Sequence, residues 1–406
     1  MIGNGKIIDF NYPFAKLGKE KYNLVVNDPD FDLDEVGKLI VKEIVGLKPV
    51  GISNCIKSYI CMREEENFIC MSGDCNFDAR SENCKKVILA SFKKTGTPYS
   101  FEPSAIKPSQ HVNNWLKQSS VSRDTVFLMS FALQSSPEET SSFLKDGLGK
   151  RDFFFMDHHE AFVCYCLRKG LSASDVIRLE KIFDSSPGTY NGTKVSEEKF
   201  RDASMRVDDE QSLMDLHLTL KGGPARDSND TAHCEFVKLY RMGQEAIAAN
   251  YNRDEEEQGK KARWKPEDIT EADFEKFLCD GMPMDNGNLR KLSCSTLNKI
   301  VNFKRPSRGR LAEVLSRKSD VDRTDLINLS FLLASEGCKA REYKPADVSL
   351  DEFVDRTNKI LNKCYLGELN FANPFDWCIL ICMRTDGPLD TYTHIWLEAF
   401  QSEVAI

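Results

Sequence analysis

Apolar residues recur at helical spacing through much of the chain, and two stretches do so in the same order. Set on itself at a shift of 200, the sequence pairs Val121-Ser-Arg-Asp-Thr-Val-Phe-Leu-Met-Ser-Phe-Ala-Leu133 with Val321-Asp-Arg-Thr-Asp-Leu-Ile-Asn-Leu-Ser-Phe-Leu-Leu333. Val121, Arg123, Ser130, Phe131 and Leu133 have identical partners. Upstream, Val112, Trp115 and Leu116 meet Leu311, Val314 and Leu315 as one apolar stripe. Downstream, Phe143-Leu144 meets Ile360-Leu361, and the segment from His159 to Arg168 meets that from Phe375 to Arg384 at a shift of 216. The second copy therefore carries an insertion around Ala334 to Val354, as surface loops do.

Each copy predicts four helices. The first follows Ser109 or Ser307, the second Ser122 or Asp322, and the third covers Pro137 to Lys145 or Ser349 to Lys363. The fourth opens at Asp157 with Glu160 three residues on, a capping-box signature, or at Asn373 with Pro374 in the first helical position. Trp377 to Met383 is apolar all round, which predicts the buried centre of its bundle.

Elsewhere the pattern is weaker. Leu33 to Val45 reads as an amphipathic helix, and Ile56 to Cys70 as a Cys-bearing segment with room for strands. Asp184 to Asp230 is rich in Ser, Gly, Asn and Asp, and Asp254-Glu-Glu-Glu257 runs into Lys260-Lys-Ala-Arg263, the signature of solvated loops or helix ends. The expected fold is mainly α, with two related helical bundles that carry helix-turn-helix-like segments and a mixed N-terminal module. The expected division is an N-terminal module over 1–105, a helical repeat over 106–185, a polar linker and middle helical segment over 186–264, and a second repeat over 265–406.

Composition narrows the class. A chain of 406 residues with 41% hydrophobic content is long enough for several cores. The N-terminal stretch from Met1 to Phe10 lacks a secretory signal pattern, and no run approaches the roughly 18 apolar residues of a membrane span, so no membrane partner is expected. The 14 cysteines are scattered, with Cys164, Cys166, Cys378 and Cys382 inside apolar segments, which fits reduced thiols and a cytoplasmic location. Cys61, Cys70, Cys75 and Cys84 lack the tight pair spacing of a zinc knuckle, and the adjacent His158 and His159 point to different faces of a helix. With no phosphate-cradling loop or nucleophile elbow either, the chain reads as non-enzymatic, without metal or cofactor.

Charge adds one sharp feature. Between Arg290 and Lys318 lie nine bases, Arg290, Lys291, Lys299, Lys304, Arg305, Arg308, Arg310, Arg317 and Lys318, against the single acid Glu313, in a chain of net charge −8. Such a segment suits phosphate contacts, because each neutralised phosphate releases a counterion. It also has a helix-turn-helix outline: a first helix from Ser295 to Asn302, then a second capped by Ser307 and reaching Leu315. The first copy offers Lys107, His111, Lys117 and Arg123, with Asn113 and Asn114 as adenine readers. Two roles fit Arg123 and Arg323: holding phosphates at a helix start, or pairing with neighbouring carboxylates.

The run from Ser307 through Leu329 resembles the recognition helix and following helix of Cro/repressor-type (XRE-like) helix-turn-helix regulators, and Val112 to Leu128 resembles the same stretch. The tails Phe143 to Leu171 and Ile360 to Thr391 are similar to C-terminal extensions in a group of proteins from gut Firmicutes. The resemblance implies a bacterial DNA-binding regulator with duplex DNA as partner, contacted through Lys299, Lys304, Arg305, Arg308, Arg310, Arg317, Lys318 and Arg323, with Asn113, Asn114, Lys117 and Arg123 from the first copy. The other reading is a helical interaction scaffold, of a mobile element or a defence or counter-defence system, whose bundles hold a protein partner.

Overall fold

A computed structural model describes residues 20, 23, 42, 56–57, 59–60, 77–95, 108–118, 121–192, 195–223, 231–279, 284–285, 288–289, 306–335, 350–371, 373–385 and 387–404. The described residues are mainly α-helical, with one short antiparallel ladder that pairs Met284–Asp285 with Asn288–Leu289. They fall into two units, one over Val50–Thr231 and the other over Ala232 onward together with Glu20, Asn23 and Lys42.

In the first unit, α1 (Phe77–Thr95) packs on α2 (Pro108–Trp115) and α3 (Arg123–Leu133). Ser122 caps α3 by accepting the Thr125 N–H, and the helix stops at Gln134, whose φ of 50° is left-handed. A capping box of Ser136 and Glu139, with Pro137 behind it, starts α4 (Pro137–Ser142), which runs into one π turn over Phe143–Gly147. Next comes α5 (His158–Lys169), capped by Asp157 and closed by left-handed Gly170; all its residues from Ala161 to Leu167 are buried. Ser172 and Asp175 box the start of α6 (Ala173–Ser185), which buries Val176, Leu179 and Phe183. Two further helices, α7 (Glu197–Arg206) and α8 (Glu210–Leu218), start at Ser196 and Asp209.

In the second unit, α9 (Thr231–Glu257) is 27 residues long. Phe274 of α10 (Glu271–Leu278) stacks on its Tyr240 at 4.5 Å between ring centres. Gly243 makes this approach possible, since a Cβ there would sit 2.5 Å from the Phe274 ring. Then follow α11 (Arg308–Leu315), α12 (Arg323–Ser335), α13 (Leu350–Lys363), α14 (Pro374–Cys382) and α15 (Pro388–Val404). Asn373 caps α14 through the N–H groups of Phe375 and Asp376, and every residue of that helix is buried.

Helices α2 to α5 and α11 to α14 cover the two stretches that the sequence pairs, and α6 and α15 follow them. Val112, Trp115 and Leu116 are buried in the first, Leu311 and Val314 in the second. At a shift of 216, left-handed Gly149 (φ 65°) corresponds to Tyr365 (φ 57°), and buried Val176, Leu179 and Phe183 correspond to buried Tyr392, Ile395 and Ala399. Each set thus contains a fifth helix beyond the four expected.

Other expectations differ from what is seen. Residues 56, 57, 59 and 60 are helical, not extended, because Ile56, Tyr59 and Ile60 supply a helical stripe to the first core. The stretch from Asp184 to Asp230, read as loop, contains α7 and α8, held by Phe200, Leu213 and Met214 in the same core. The middle helical segment α9 joins the second core through Phe236, Leu239 and Ile247. Of the expected helix Leu33 to Val45, only Lys42 lies among the described residues, and it is helical.

Candidate functional site

The first residue of α3 and the first residue of α12 are arginines, and both reach back into their own bundle. Arg123 grips Glu160 on α5 with two parallel bonds, Nε to Oε1 at 2.9 Å and Nη2 to Oε2 at 2.5 Å. Its remaining N–H groups donate to the carbonyls of Arg151 at 2.6 Å and Asp152 at 3.2 Å. Glu160 also accepts the Phe154 N–H at 2.8 Å. Arg323 repeats this on α14, with bonds to Asp376 at 2.7 and 2.5 Å and to the carbonyls of Gly367 at 2.7 Å and Glu368 at 2.5 Å. Asp376 in turn accepts the Asn370 N–H at 2.8 Å. Every partner of Arg323 stands 216 positions after the corresponding partner of Arg123.

The chemistry explains the residue types. A guanidinium offers a rigid fork of donors that satisfies a carboxylate and two loop carbonyls at once, which an ammonium cannot do. The second clamp is the drier one: its arginine and aspartate side chains are 8% and 0% exposed, against 24% and 12% for Arg123 and Glu160. Of the two roles open to these arginines, carboxylate pairing is the one seen. Glu160, expected in a capping box with Asp157, instead serves Arg123 and the Phe154 amide, while Asp157 caps α5 by accepting the His159 N–H.

The other expected phosphate contacts divide into three groups. Arg310 is held within the fold: its Nε and Nη2 donate to Asp325 at 3.0 and 2.5 Å, and Nη2 also reaches the Asp320 carbonyl at 2.7 Å. Burial pushes the Asp325 carboxyl above its usual range, against the pull of Arg310. Arg308, Arg317 and Lys318 are exposed at the two ends of α11, with exposed Glu313 between them. Lys299, Lys304 and Arg305 lie outside the described residues, as does the helix expected from Ser295 to Asn302. In the first unit, Asn114 and Lys117 are exposed and Asn113 is half-buried. Of the four described bases in this segment, Arg310 is thus withdrawn into the fold and Arg308, Arg317 and Lys318 stay exposed.

The histidines also serve packing. His158 stacks on Phe183 at 4.2 Å, and His159 meets Glu180 at 2.6 Å, so both tie α5 to α6. His217 lies buried beside Phe162 and Phe200 with its Nε2 unpartnered, and burial lowers its pKa to about 3. Among the described residues, no group of three or more His, Cys, Asp or Glu is placed to hold a metal ion, and no helix is long and apolar enough to cross a membrane.

Sequence reasoning finds Arg123 and Arg323 but not their partners. The signal is present all the same: an acid stands at both Glu160 and Asp376, at the same shift that aligns their helices. No protein-family model, curated protein or solved structure matches the chain.

Proposed function

We propose that the protein is a non-enzymatic helical scaffold, built from two related five-helix sets, that works by holding a protein partner. The observation that carries this reading is the use of Arg123, Arg310 and Arg323 inside the fold, each on a carboxylate of its own unit. Three of the arginines that would make a phosphate-binding face are thereby neutralised. Cys164, Cys166, Cys378 and Cys382 are buried thiols outside any disulfide, which fits work in a reducing compartment.

A second reading keeps the Cro/repressor-type resemblance, and the exposure of Arg308, Arg317 and Lys318 around the Ser307-capped α11 favours it. Titration of duplex DNA with the full chain at about 50 mM and 200 mM salt separates the two, because phosphate contacts make affinity steeply salt-dependent. The scaffold reading expects no salt-sensitive binding. The DNA reading expects micromolar binding whose log–log salt slope flattens in an Arg308→Ala/Arg317→Ala/Lys318→Ala variant, by roughly 0.9 for each phosphate no longer neutralised. That result would install it in place of the scaffold.

A further inference from the structure

At one end of the first unit, the C-terminal ends of α1, α3 and α5 and the start of α6 surround a cavity of about 460 Å³. Phe131, Leu167 and Leu171 supply its apolar wall, and Thr95, Gln134 and Ser172 line it with uncharged polar groups. Ser135 lines it too; it is 3% exposed, and its Oγ has no hydrogen-bond partner. Among the described residues, no charged side chain lines this cavity. A smaller one of about 280 Å³ shares Thr95, Ala132 and Gln134 with it and adds Lys94, whose side chain is exposed.

The second unit shows what is particular to the first. Ser335 occupies the position of Ser135 and is likewise buried with its Oγ unpartnered, so the hydroxyl is common to both. The neighbours differ. Ala132 and Ala173 correspond to Leu332 and Leu389, and Gln134 and Ser172 correspond to Ala334 and Pro388. These four differences make the first unit's site roomier or more polar, whereas Leu167, Gly170 and Leu171 correspond to Met383, Asp386 and Gly387.

We propose that this cavity binds a small neutral molecule with an apolar body and a hydroxyl or carboxamide edge. The apolar body lies on Phe131, Leu167 and Leu171, while the polar edge exchanges hydrogen bonds with the Gln134 carboxamide. A net charge is disfavoured because no charged side chain among the described lining residues compensates its loss of water. The volume falls within the roughly 300–1,000 Å³ of ordinary small-molecule sites.

The test uses four matched probes on the full chain, followed by ligand-observed NMR: benzamide and benzyl alcohol, which are neutral, and benzoate and benzylamine, which are not. The neutral pair is expected to bind with Kd of about 1–10 mM, the range for ligands of about nine heavy atoms, and the charged pair at least about tenfold more weakly. An Ala132→Leu/Ala173→Leu variant, which carries the second unit's residues, should fold and no longer bind. Gln134→Ala should keep the melting temperature, since Gln134 is exposed, and weaken benzamide several-fold. The proposal is overturned if neither neutral probe saturates by about 20 mM, if charged and neutral probes bind alike, or if the filled variant binds as the parent does. Should the double variant fail to fold, Ala132→Leu alone and Gln134→Ala decide by the same criteria.

Discussion

Arg323 and Asp376 form a two-point ion pair shut away from water, the aspartate side chain 0% exposed. Removing one partner of such a pair strands the other charge in a poor dielectric, which costs about 3–5 kcal/mol. Asp376→Asn should destabilise the second unit by that order in urea unfolding. Glu160→Gln should cost the first unit less, about 1–2 kcal/mol, because Arg123 and Glu160 remain partly hydrated. Equal losses would contradict the difference in burial.

His217 sets a pH dependence on the first unit. Its folded pKa lies near 3, below the usual value of 6.5, so the unfolded chain takes up the proton first as pH falls. The contribution is fully present above about pH 6.5 and is lost on the way down to pH 3, at about 1.4 kcal/mol per pH unit. Stability curves between pH 7 and 4 should be flatter by that slope in His217→Leu than in the parent. Carboxylates titrate in both proteins and cancel in the comparison.

Gly149 adopts φ 65° with nothing within 4 Å of where a Cβ would stand, so any cost of a side chain there is backbone strain alone. Gly149→Ala should lose about 1 kcal/mol, and Gly149→Asn less, since Asn visits the left-handed region more readily. Thermal melts of the two variants read this directly. Tyr365, 216 positions on, adopts a similar left-handed φ of 57° without a glycine.

The elements most legible in the sequence are those with dense apolar patterns. The buried seam of α3 and α12 follows from Phe131 and Phe331 with their neighbours, and α14 from a run with no polar face. The fifth helices are harder to read: α6 and α15 share the spacing of Val176, Leu179 and Phe183 with Tyr392, Ile395 and Ala399, but no residue identity at those positions. Short polar helices such as α7 escape pattern reading, since Phe200 is its one large buried hydrophobic residue. Charge is the least legible property. A count of bases along Arg290 to Lys318 cannot tell that Arg310 spends its charge on Asp325, 15 positions away. Nor does periodicity reveal an empty space: the cavity depends on alanines at positions 132 and 173, which no local pattern singles out.

The arginines at the starts of α3 and α12 serve the fold, and on this the whole account stands. Urea unfolding of Arg123→Lys and Arg323→Lys tests it most directly, because lysine keeps the charge but loses the fork. A lysine would still attract phosphate, so a polyanion-binding role would leave stability unchanged; a clamp would not. The account predicts losses of about 2–4 kcal/mol for Arg323→Lys and about 1–2 kcal/mol for Arg123→Lys, each in its own unit. Both variants unfolding within about 0.5 kcal/mol of the parent would contradict it.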